Sequence, residues 1–296
     1  MKKLANLLST FFLVPFGFLF SLPVFSQDGL PNGTCSFQTL RLPGNSAGFD
    51  TAEAINDIGA IVGTATADQR VTHGYLFFAG KFSMFMFPGS QQTAAHDINN
   101  HAQIVGEYLD KAGNLHGFLA HSGGFQTIDD PTGVNTVASG INDLGDIVGT
   151  FQKSNNDLGF STAFLLHKGK FTSFSFPGAD PGTTGASGIN NSGVIVGTYS
   201  IASSRHGFMV KNGHFTSIDF PGADQTQAFK VNNEGDIVGM YSLVSGEFNG
   251  FSFDKGVFKT ISQPNTSFNG VSGVNNHDQV VGANQMPFKA NCQNVF

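Results

Sequence analysis

The chain has 296 residues, of which 12% are charged, about half the share in an average globular protein. Because 40% of the residues are apolar, the composition excludes a disordered chain, which needs more charge and less to bury. The net charge of −6 argues against nucleic acid as a partner, since no basic patch is available to displace counterions.

The N-terminal segment predicts a secretory signal peptide over residues 1–26. Lys2 and Lys3 precede a long apolar run that ends in small residues, with Val24 and Ser26 at the −3 and −1 positions of a cleavage site. The alternative is a retained membrane anchor, but Pro15 and Pro23 interrupt the run. No later apolar run is long enough to span a bilayer. We therefore expect a mature chain of residues 27–296 that is secreted, periplasmic or held at the cell envelope.

The mature sequence repeats one unit six times. The central asparagines of the copies are separated by 43, 43, 48, 42 and 43 residues, and they are Asn56, Asn99, Asn142, Asn190, Asn232 and Asn275. A period in the forties is typical of the four-stranded blade of a β-propeller. No helical apolar period follows the signal segment, so we predict an all-β domain.

Each copy contains four extended segments, A to D. In the copy 184–222, segment A ends at Asn190 and segment B ends at Gly197, with an Asn-Asn-x-Gly turn between them. Asn and Gly favour such a turn because they tolerate a left-handed backbone. Segment C begins with His-Gly-Phe at 206–208, and segment D runs over 215–222 to a final Pro-Gly. Ile218 and Phe220 are predicted to share one face of strand D.

The spacing shows which connections vary. The A-segment Asn and the B-segment Gly are 7 residues apart in all six copies, whereas the B–C and D–A connections differ in length. Both kinds of connection emerge on the same end of an up-and-down blade. Since loops on a rigid scaffold carry function, we predict the binding face at that end, above all in stretches 151–162 and 179–186.

The segments at the two ends of the chain complement each other. Residues 37–44 form a D segment without A, B or C, and the chain ends with A, B and C without D. We predict a six-bladed propeller of four-stranded antiparallel blades, whose last blade is completed by the N-terminal strand. Aligning Phe288 with Phe208 and Phe37 with Phe215 places Cys292 and Cys35 where other blades turn from C to D. We therefore predict a Cys35–Cys292 disulfide.

The repeat resembles the extracellular HAF repeat family, which takes its name from a His-Ala-Phe triplet. The matching residues are A-x-G-I-N-N-x-G-x-I-V-G-x-Y, then H-G-F, then F-x-x-I-D-F-P-G, and they cover nearly all of 37–290. This resemblance implies a secreted or envelope protein, but it brings no established activity and hence no catalytic residues.

Three histidines open the triplet in their copies: His73, His116 and His206. In a ring they would diverge around the axis, so we favour a structural role, with each imidazole bonded to loop backbone, over a metal site. The sequence contains no closely spaced His/Cys ligand set. We expect neither a metal nor a cofactor.

Aromatic residues follow the B-segment glycine by two positions in four copies, as Tyr108, Phe151, Tyr199 and Tyr241. They are candidates for a surface on which a glycan or peptide stacks, and the alternative is packing within the blade. Arg205 also belongs to the candidate binding face. Acidic candidates in the variable connections are Asp110, Asp157, Glu247, Asp130, Asp180 and Asp224.

Facing carboxylates could form the acid/base pair that glycoside cleavage needs, but the chain has no calcium-loop motif and no Gly-x-Ser-x-Gly elbow. The leading prediction is therefore a monomeric, non-catalytic binding protein whose variable face contacts an extracellular protein or glycan. The alternatives are a polysaccharide lyase or glycoside hydrolase that uses the loop carboxylates, with Tyr199, Tyr241 or Arg205, and a structural surface or matrix protein.

Overall fold

The computed structural model describes residues 35–40, 50–66, 71–154, 161–262, 270–283 and 287–292. The predicted signal peptide and its cleavage site lie outside these residues. The regular elements in the described ranges are β-strands, and no helix in them has the length and hydrophobicity needed to cross a bilayer.

The strands of the first half are β1 (Cys35–Thr39), β2 (Thr51–Ile55), β3 (Ile61–Thr66), β4 (Thr72–Phe78), β5 (Lys81–Phe85), β6 (Gln92–Ile98), β7 (Ile104–Leu109), β8 (Leu115–His121), β9 (Gly124–Ile128), β10 (Val134–Ile141), β11 (Ile147–Gln152), β12 (Thr162–His167) and β13 (Lys170–Phe174). Those of the second half are β14 (Gly185–Ile189), β15 (Ile195–Ile201), β16 (Ser204–Lys211), β17 (His214–Ile218), β18 (Gln225–Val231), β19 (Ile237–Ser242), β20 (Phe248–Asp254), β21 (Val257–Ile261), β22 (Gly270–Val274), β23 (Gln279–Ala283) and β24 (Pro287–Cys292).

These strands form six four-stranded antiparallel sheets, the blades of a propeller. Blades 1 to 5 are β2–β5, β6–β9, β10–β13, β14–β17 and β18–β21, and blade 6 has the order β1-β24-β23-β22. The first strand of each blade, strand A, contacts the A strands of its neighbours and so lies at the axis, while B, C and D follow outward. The six-bladed fold and the completion of the last blade by the N-terminal strand are thereby confirmed.

The Cys35–Cys292 disulfide closes the ring. Strand β1 pairs with β24 in the register Cys35↔Cys292 and Phe37↔Ala290. In blade 4 the corresponding place is a two-residue turn, Asn212-Gly213, with φ of 51° and 78°, the geometry favoured for joining twisted antiparallel strands. The predicted disulfide is confirmed, and it stands where other blades have this covalent turn.

The core of each blade is built from the same repeat positions. The C-strand aromatic ring is buried in every blade, and in blade 4 it is Phe208, which packs beside Phe215 of strand D. Each B strand has a valine directly before its repeat glycine. This valine is also fully buried, as Val196 is in blade 4. Because Trp is absent, phenylalanine supplies most of the aromatic area on which burial energy depends.

A glycine is required in strand B because the A strand passes close to it. A Cβ on Gly197 would lie 2.0 Å from the carbonyl oxygen of Gly185 and 2.8 Å from Cε1 of Phe208. The equivalent glycines of the other five blades, from Gly63 to Gly282, show the same approach at 1.9–2.0 Å. The A–B register shift lies beside this close approach in every blade.

We expect Gly197→Ala to lower the free energy of unfolding by more than the roughly 1–3 kcal/mol typical of overpacking, since the obstacle is backbone and cannot rotate away. Gly185→Ala is the matched control, because its Cβ would meet nothing nearer than Thr150 Cγ2 at 3.3 Å. Chemical denaturation of both variants gives the comparison. Equal stability of the two variants would contradict this account of the glycine.

The predicted extent of one strand needs correction. Strand D of blade 4 ends at Ile218, so Phe220 lies beyond the strand, but both side chains pack in the same core cluster. Phe220 stacks there on Tyr241 of blade 5 with 3.7 Å between ring centroids. The Phe-Pro-Gly segment therefore joins one blade to the next, a role that an alternation pattern within one strand cannot reveal.

Candidate functional site

The repeat asparagine organises the A–B turn and the blade interface together. The side-chain oxygen of Asn190 accepts the backbone N–H groups of Ser192 and Val194, and its Nδ2 donates to the carbonyl of Asn232 in the next blade. The left-handed residue of this turn is Gly193, and in blades 2 and 6 the non-glycines Ala102 and Asp278 also adopt positive φ there. The asparagine itself is thus kept for its amide, which corrects the expectation that it supplies a left-handed backbone.

These asparagine links form a closed ring. Each Nδ2 donates to the backbone carbonyl of the next asparagine at 2.9–3.3 Å, and the last link runs from Asn275 back to Asn56. A second ring joins the following residues, in which each backbone N–H meets the side-chain oxygen of its neighbour: Asp57, Asn100, Asp143, Asn191, Asn233 and Asn276. The small axial depression here, about 70 Å³, is lined by groups that largely bond one another.

A buried ion pair blocks the axis above these rings. Nζ of Lys230 in blade 5 lies 3.0 Å from Oδ2 of Asp97 in blade 2, and both side chains are about one-tenth exposed. The ammonium also donates to the carbonyls of Ser139 and Ser187, at 2.6 and 3.0 Å. The other oxygen of Asp97 accepts the N–H of Ile98. All three donors of the ammonium are satisfied, so this group ties four blades and offers nothing to a ligand.

The opposite end of the propeller carries the B–C and D–A connections, and we call it the upper face. The backbone N–H groups of Asp180 and Asp224, in D–A connections, donate to the B-strand carbonyls of Ser200 and Ser242. In blade 3, Ser161 bonds to Gly182 of the following connection at 2.7 Å. The two variable stretches named from the sequence therefore meet at one end of the ring. Residues 155–160, including the candidate Asp157, lie outside the described part.

The candidate aromatic residues are packed inside the blades. Tyr108, Phe151, Tyr199 and Tyr241 are at most 9% exposed. The ring of Tyr199 is covered on one side by Phe176 at 3.7 Å and on the other by His206 at 5.2 Å between centroids. A ring covered on both sides offers no face for stacking, so the interpretation of these residues as a glycan platform is corrected to packing within and between blades.

The histidines of the His-Gly-Phe/Tyr triplets form hydrogen bonds within their own blades. His116 Nδ1 lies 2.8 Å from Asp129 and His206 Nδ1 lies 3.0 Å from Asp219, and both aspartates follow strand D of their own blade. Only His73 bonds to backbone, at the carbonyl of Val71. Two of the three thus use carboxylates where loop backbone was expected. No group of three potential metal ligands occurs among the described residues.

The candidate carboxylates mostly stabilise their own connections. Asp110 accepts the N–H groups of Ala112 and Asn114, and these bonds, together with His116, hold the pKa of its carboxyl well below the usual range. Asp180 faces the N–H of Ser203 at 3.4 Å, and Asp130 caps Thr132. Arg205 extends over the blade 4–5 junction toward Gln227, at 3.5 Å. Asp224 and Glu247 lie on the same face, and the Glu247 side chain is exposed.

A pocket of about 380 Å³ opens on the upper face between blades 1 and 2. Its size falls within the range of small-molecule sites, roughly 300–1,000 Å³. Most of the lining residues are polar in type, with threonines and one glutamine around three ionisable groups, but more of the exposed lining surface is apolar than polar. The lining residues are Thr51, Glu53, Thr64, Thr72, Gln92, Thr93, Ala94, His96, Glu107, Tyr108, Leu109 and Leu115. Of the residues predicted for the site, Tyr108 alone lines it.

The ionisable groups of this pocket occupy repeat positions that carry uncharged residues elsewhere. Glu53 and His96 are the bulged residues of strand A in blades 1 and 2, where the other blades have Ser139, Ser187, Phe229 and Ser272. Glu107 follows the B-strand glycine, where the others have Thr64, Thr150, Thr198, Met240 and Ala283. Variation in loop length does not reveal these residues, because they lie within strands. The sequence does indicate them in another way, since three residues in strands of adjacent blades are ionisable where the other copies of the repeat have uncharged residues.

His96 and Glu107 form an ion pair at the base of the pocket, with 3.6 Å between Nε2 and Oε2 and side chains 26% and 28% exposed. Burial alone would lower the pKa of His96, but the Glu107 carboxylate, helped by Glu53 and opposed by Lys230, raises it above 6.5. Burial would likewise raise the pKa of Glu107, and the His96 imidazole outweighs it, so that pKa lies below 4.5.

These shifts predict how the pair contributes to stability. The His96 contribution is complete below pH 6.5 and is lost as pH rises through the higher folded pKa. The Glu107 contribution is complete above pH 4.5 and is lost as pH falls through the lower folded pKa. We expect the difference in unfolding free energy between wild type and His96→Ser to be largest between these values. Denaturation of both proteins across pH tests this, and a pH-independent difference would contradict it.

The sequence matches no protein-family model and no curated protein. The structure is similar to TolB from Acinetobacter baumannii, with a TM-score of 0.57 at 12% identity over 78% of this chain and 63% of that one. It is also similar to virginiamycin B lyase from Staphylococcus aureus, with a TM-score of 0.50 at 11% identity over 87% and 98%. Similarity to the fungal Aleuria aurantia lectin, a six-bladed β-propeller with a fucose recognition mode, covers 80% and 87% of the two chains at 13% identity and a TM-score of 0.50. At these identities the likenesses establish the six-bladed propeller fold.

Proposed function

We propose that this protein is an exported, non-catalytic binding protein that holds an extracellular polysaccharide through its upper face. The observation that carries the proposal is the pocket between blades 1 and 2, where ionisable residues stand at positions that are uncharged in the other blades. Hydroxyl, amide and carboxylate groups beside Leu109 and Leu115 suit a ligand with many hydroxyls and some apolar surface. Export is supported by the disulfide, which is expected of proteins that fold outside a reducing compartment.

The similar solved structures include a lectin and a lyase, and the lectin supports a binding role. One of them, the Aleuria aurantia lectin, recognises fucose, so a propeller of this size can present a saccharide site. Rigid blades with loops at one end suit this task, because little backbone has to be ordered when the ligand binds.

The enzymatic alternative finds less support. Asp110 and Asp130 bond to the backbone of their own turns. A carboxylate engaged in this way is a poor general acid or base, which must reach the substrate proton directly. A matrix role would call for a self-association surface. The large exposed hydrophobic side chains of the described residues, including Ile58, Leu144 and Val244, are scattered over both faces.

Blocking one face at a time tests the proposal. No free cysteine is present in the described residues, so one can be introduced at Ala112, in the exposed B–C turn of blade 2, and coupled to a bulky polymer. The control is Leu144→Cys, because Leu144 is 71% exposed in an A–B turn on the opposite face. We expect the mature protein to bind saccharides on a glycan array, and only the Ala112 conjugate to lose binding. Capture of proteins alone from envelope extracts, or equal inhibition by both conjugates, would overturn the proposal.

A further inference from the structure

The blade 1–2 pocket contains polar groups that the protein itself leaves without partners. No hydrogen bond or ion pair joins the Glu53 carboxylate to the rest of the chain in the described part. Thr51 Oγ1 is buried without a hydrogen-bond partner, whereas His96 Nε2 has the Glu107 carboxylate 3.6 Å away. Unsatisfied buried polar groups are rare in folded proteins and call for a specific explanation. One such group beside an unpaired carboxylate is explained if a ligand occupies the pocket.

The charge of the pocket indicates the kind of ligand. Its lining holds two carboxylates and one imidazole, and Glu107 already faces that imidazole at 3.6 Å. The ammonium of Lys230 is neutralised by Asp97 at 3.0 Å. Even with His96 protonated, one carboxylate remains uncompensated, and that carboxylate is Glu53. Such a pocket repels anions and attracts a cation.

We infer that the blade 1–2 pocket binds a saccharide unit that carries a free amino group, with its ammonium on Glu53 and its hydroxyls on Thr64, Thr72 and Gln92. The inference rests on the proposed function and narrows it to one chemical class. Uronic acids and phosphorylated sugars are excluded by charge, and neutral sugars lack the partner for Glu53. The threonine hydroxyls can both donate and accept, as sugar hydroxyls require.

The test measures binding of glucosamine, N-acetylglucosamine, glucose and glucuronate to the full mature protein by titration calorimetry and ligand-observed NMR near pH 6. We expect glucosamine to bind about 10- to 100-fold more tightly than glucose, the effect of one hydrogen bond to a charged group. N-acetylglucosamine should behave like glucose, because its amide is uncharged. Glucuronate should not bind.

The variants use residues that the fold already accepts at these positions. Glu53→Ser reproduces Ser139, Ser187 and Ser272 at the same bulge, and it should reduce glucosamine affinity to that of glucose. Glu234→Gln removes one exposed carboxylate from an A–B turn on the opposite face and should leave affinity unchanged. Circular dichroism and the unfolding midpoint check that both variants remain folded.

The outcomes separate the two proposals. If the wild type binds glycans on the array and Glu53→Ser binds them equally well, the pocket assignment is wrong and upper-face binding stands. Preference for glucuronate, or equal affinity for glucose and glucosamine, would also overturn the pocket assignment. If neither sugars nor glycans bind, both proposals fail.

Discussion

Replacing Lys230 by methionine is expected to lower the free energy of unfolding by about 3–5 kcal/mol, because it leaves the buried carboxylate of Asp97 without its counter-ion. Two backbone carbonyls, of Ser139 and Ser187, would lose a donor at the same time. For a chain of this size the loss corresponds to roughly 6–20 °C in Tm. Differential scanning calorimetry measures it directly.

A double-mutant cycle identifies the source of this effect. Asp97→Ala takes the residue that blade 1 has at the same position, Ala54, and should also destabilise when made alone. The two substitutions together should cost less than the sum of the single changes, since neither charge is then left unpaired. Asp254→Asn is the control, as it breaks a surface pair whose lysine is 85% exposed, and it should give no measurable change. Strict additivity within the axial pair would show that the two charges do not stabilise each other.

Removing the disulfide is expected to have an effect of similar size. The bond joins residues 257 apart, and in the chain-entropy model a loop of this length corresponds to roughly 5 kcal/mol at most. Without it, β1 is held in blade 6 by one ladder of hydrogen bonds and by contacts such as that of Phe37 with Phe288, at 5.3 Å between centroids. We expect Cys35→Ala combined with Cys292→Ala to open first in blade 6.

Hydrogen exchange followed by mass spectrometry locates that opening. In the double cysteine variant, amides of β1 and β24 should exchange faster, while those of blades 2 to 4 should change far less. Adding reductant should destabilise the wild type and have no further effect on the variant. Uniform acceleration around the ring would contradict the view that blade 6 is where the propeller opens.

The repeat period explains why so much of the fold could be predicted. Equivalent residues such as Gly197 and Phe208 recur at fixed spacing because every blade faces the same packing problem, and the unmatched segment at 37–44 required a partner at the other end of the chain. Cys35 and Cys292 followed from that alignment. Repetition therefore revealed the scaffold, including a bond between residues far apart in sequence.

Contacts between different blades were harder to predict. Asp97 and Lys230 occupy the same repeat position, which otherwise has Ala54, Gly140, Gly188 and Gly273. Two opposite charges at a position that otherwise holds small residues suggest an ion pair. The pairing can be assigned only when it is known that blades 2 and 5 face each other across the axis. The pocket residues Glu53, His96 and Glu107 could not be found from the loop lengths, because they change the identity of strand residues and leave the spacing of the repeat unchanged. The burial of Tyr199 could not be predicted from its own blade, because the covering Phe176 comes from the preceding one.

The position of the disulfide has a consequence for how this ring could be rearranged. Because Cys35 and Cys292 stand at a C–D turn, a two-residue turn like Asn212-Gly213 could link them and make blade 6 continuous. New chain ends could then be opened at Asn212-Gly213, where the strands are held by their own ladder, and the pair of cysteines moved there. The asparagine ring would be unaffected, since it joins each blade to the next without regard to chain order. The propeller therefore does not depend on which C–D turn carries the chain ends. Circular permutants opened at the C–D turns should fold to the same propeller.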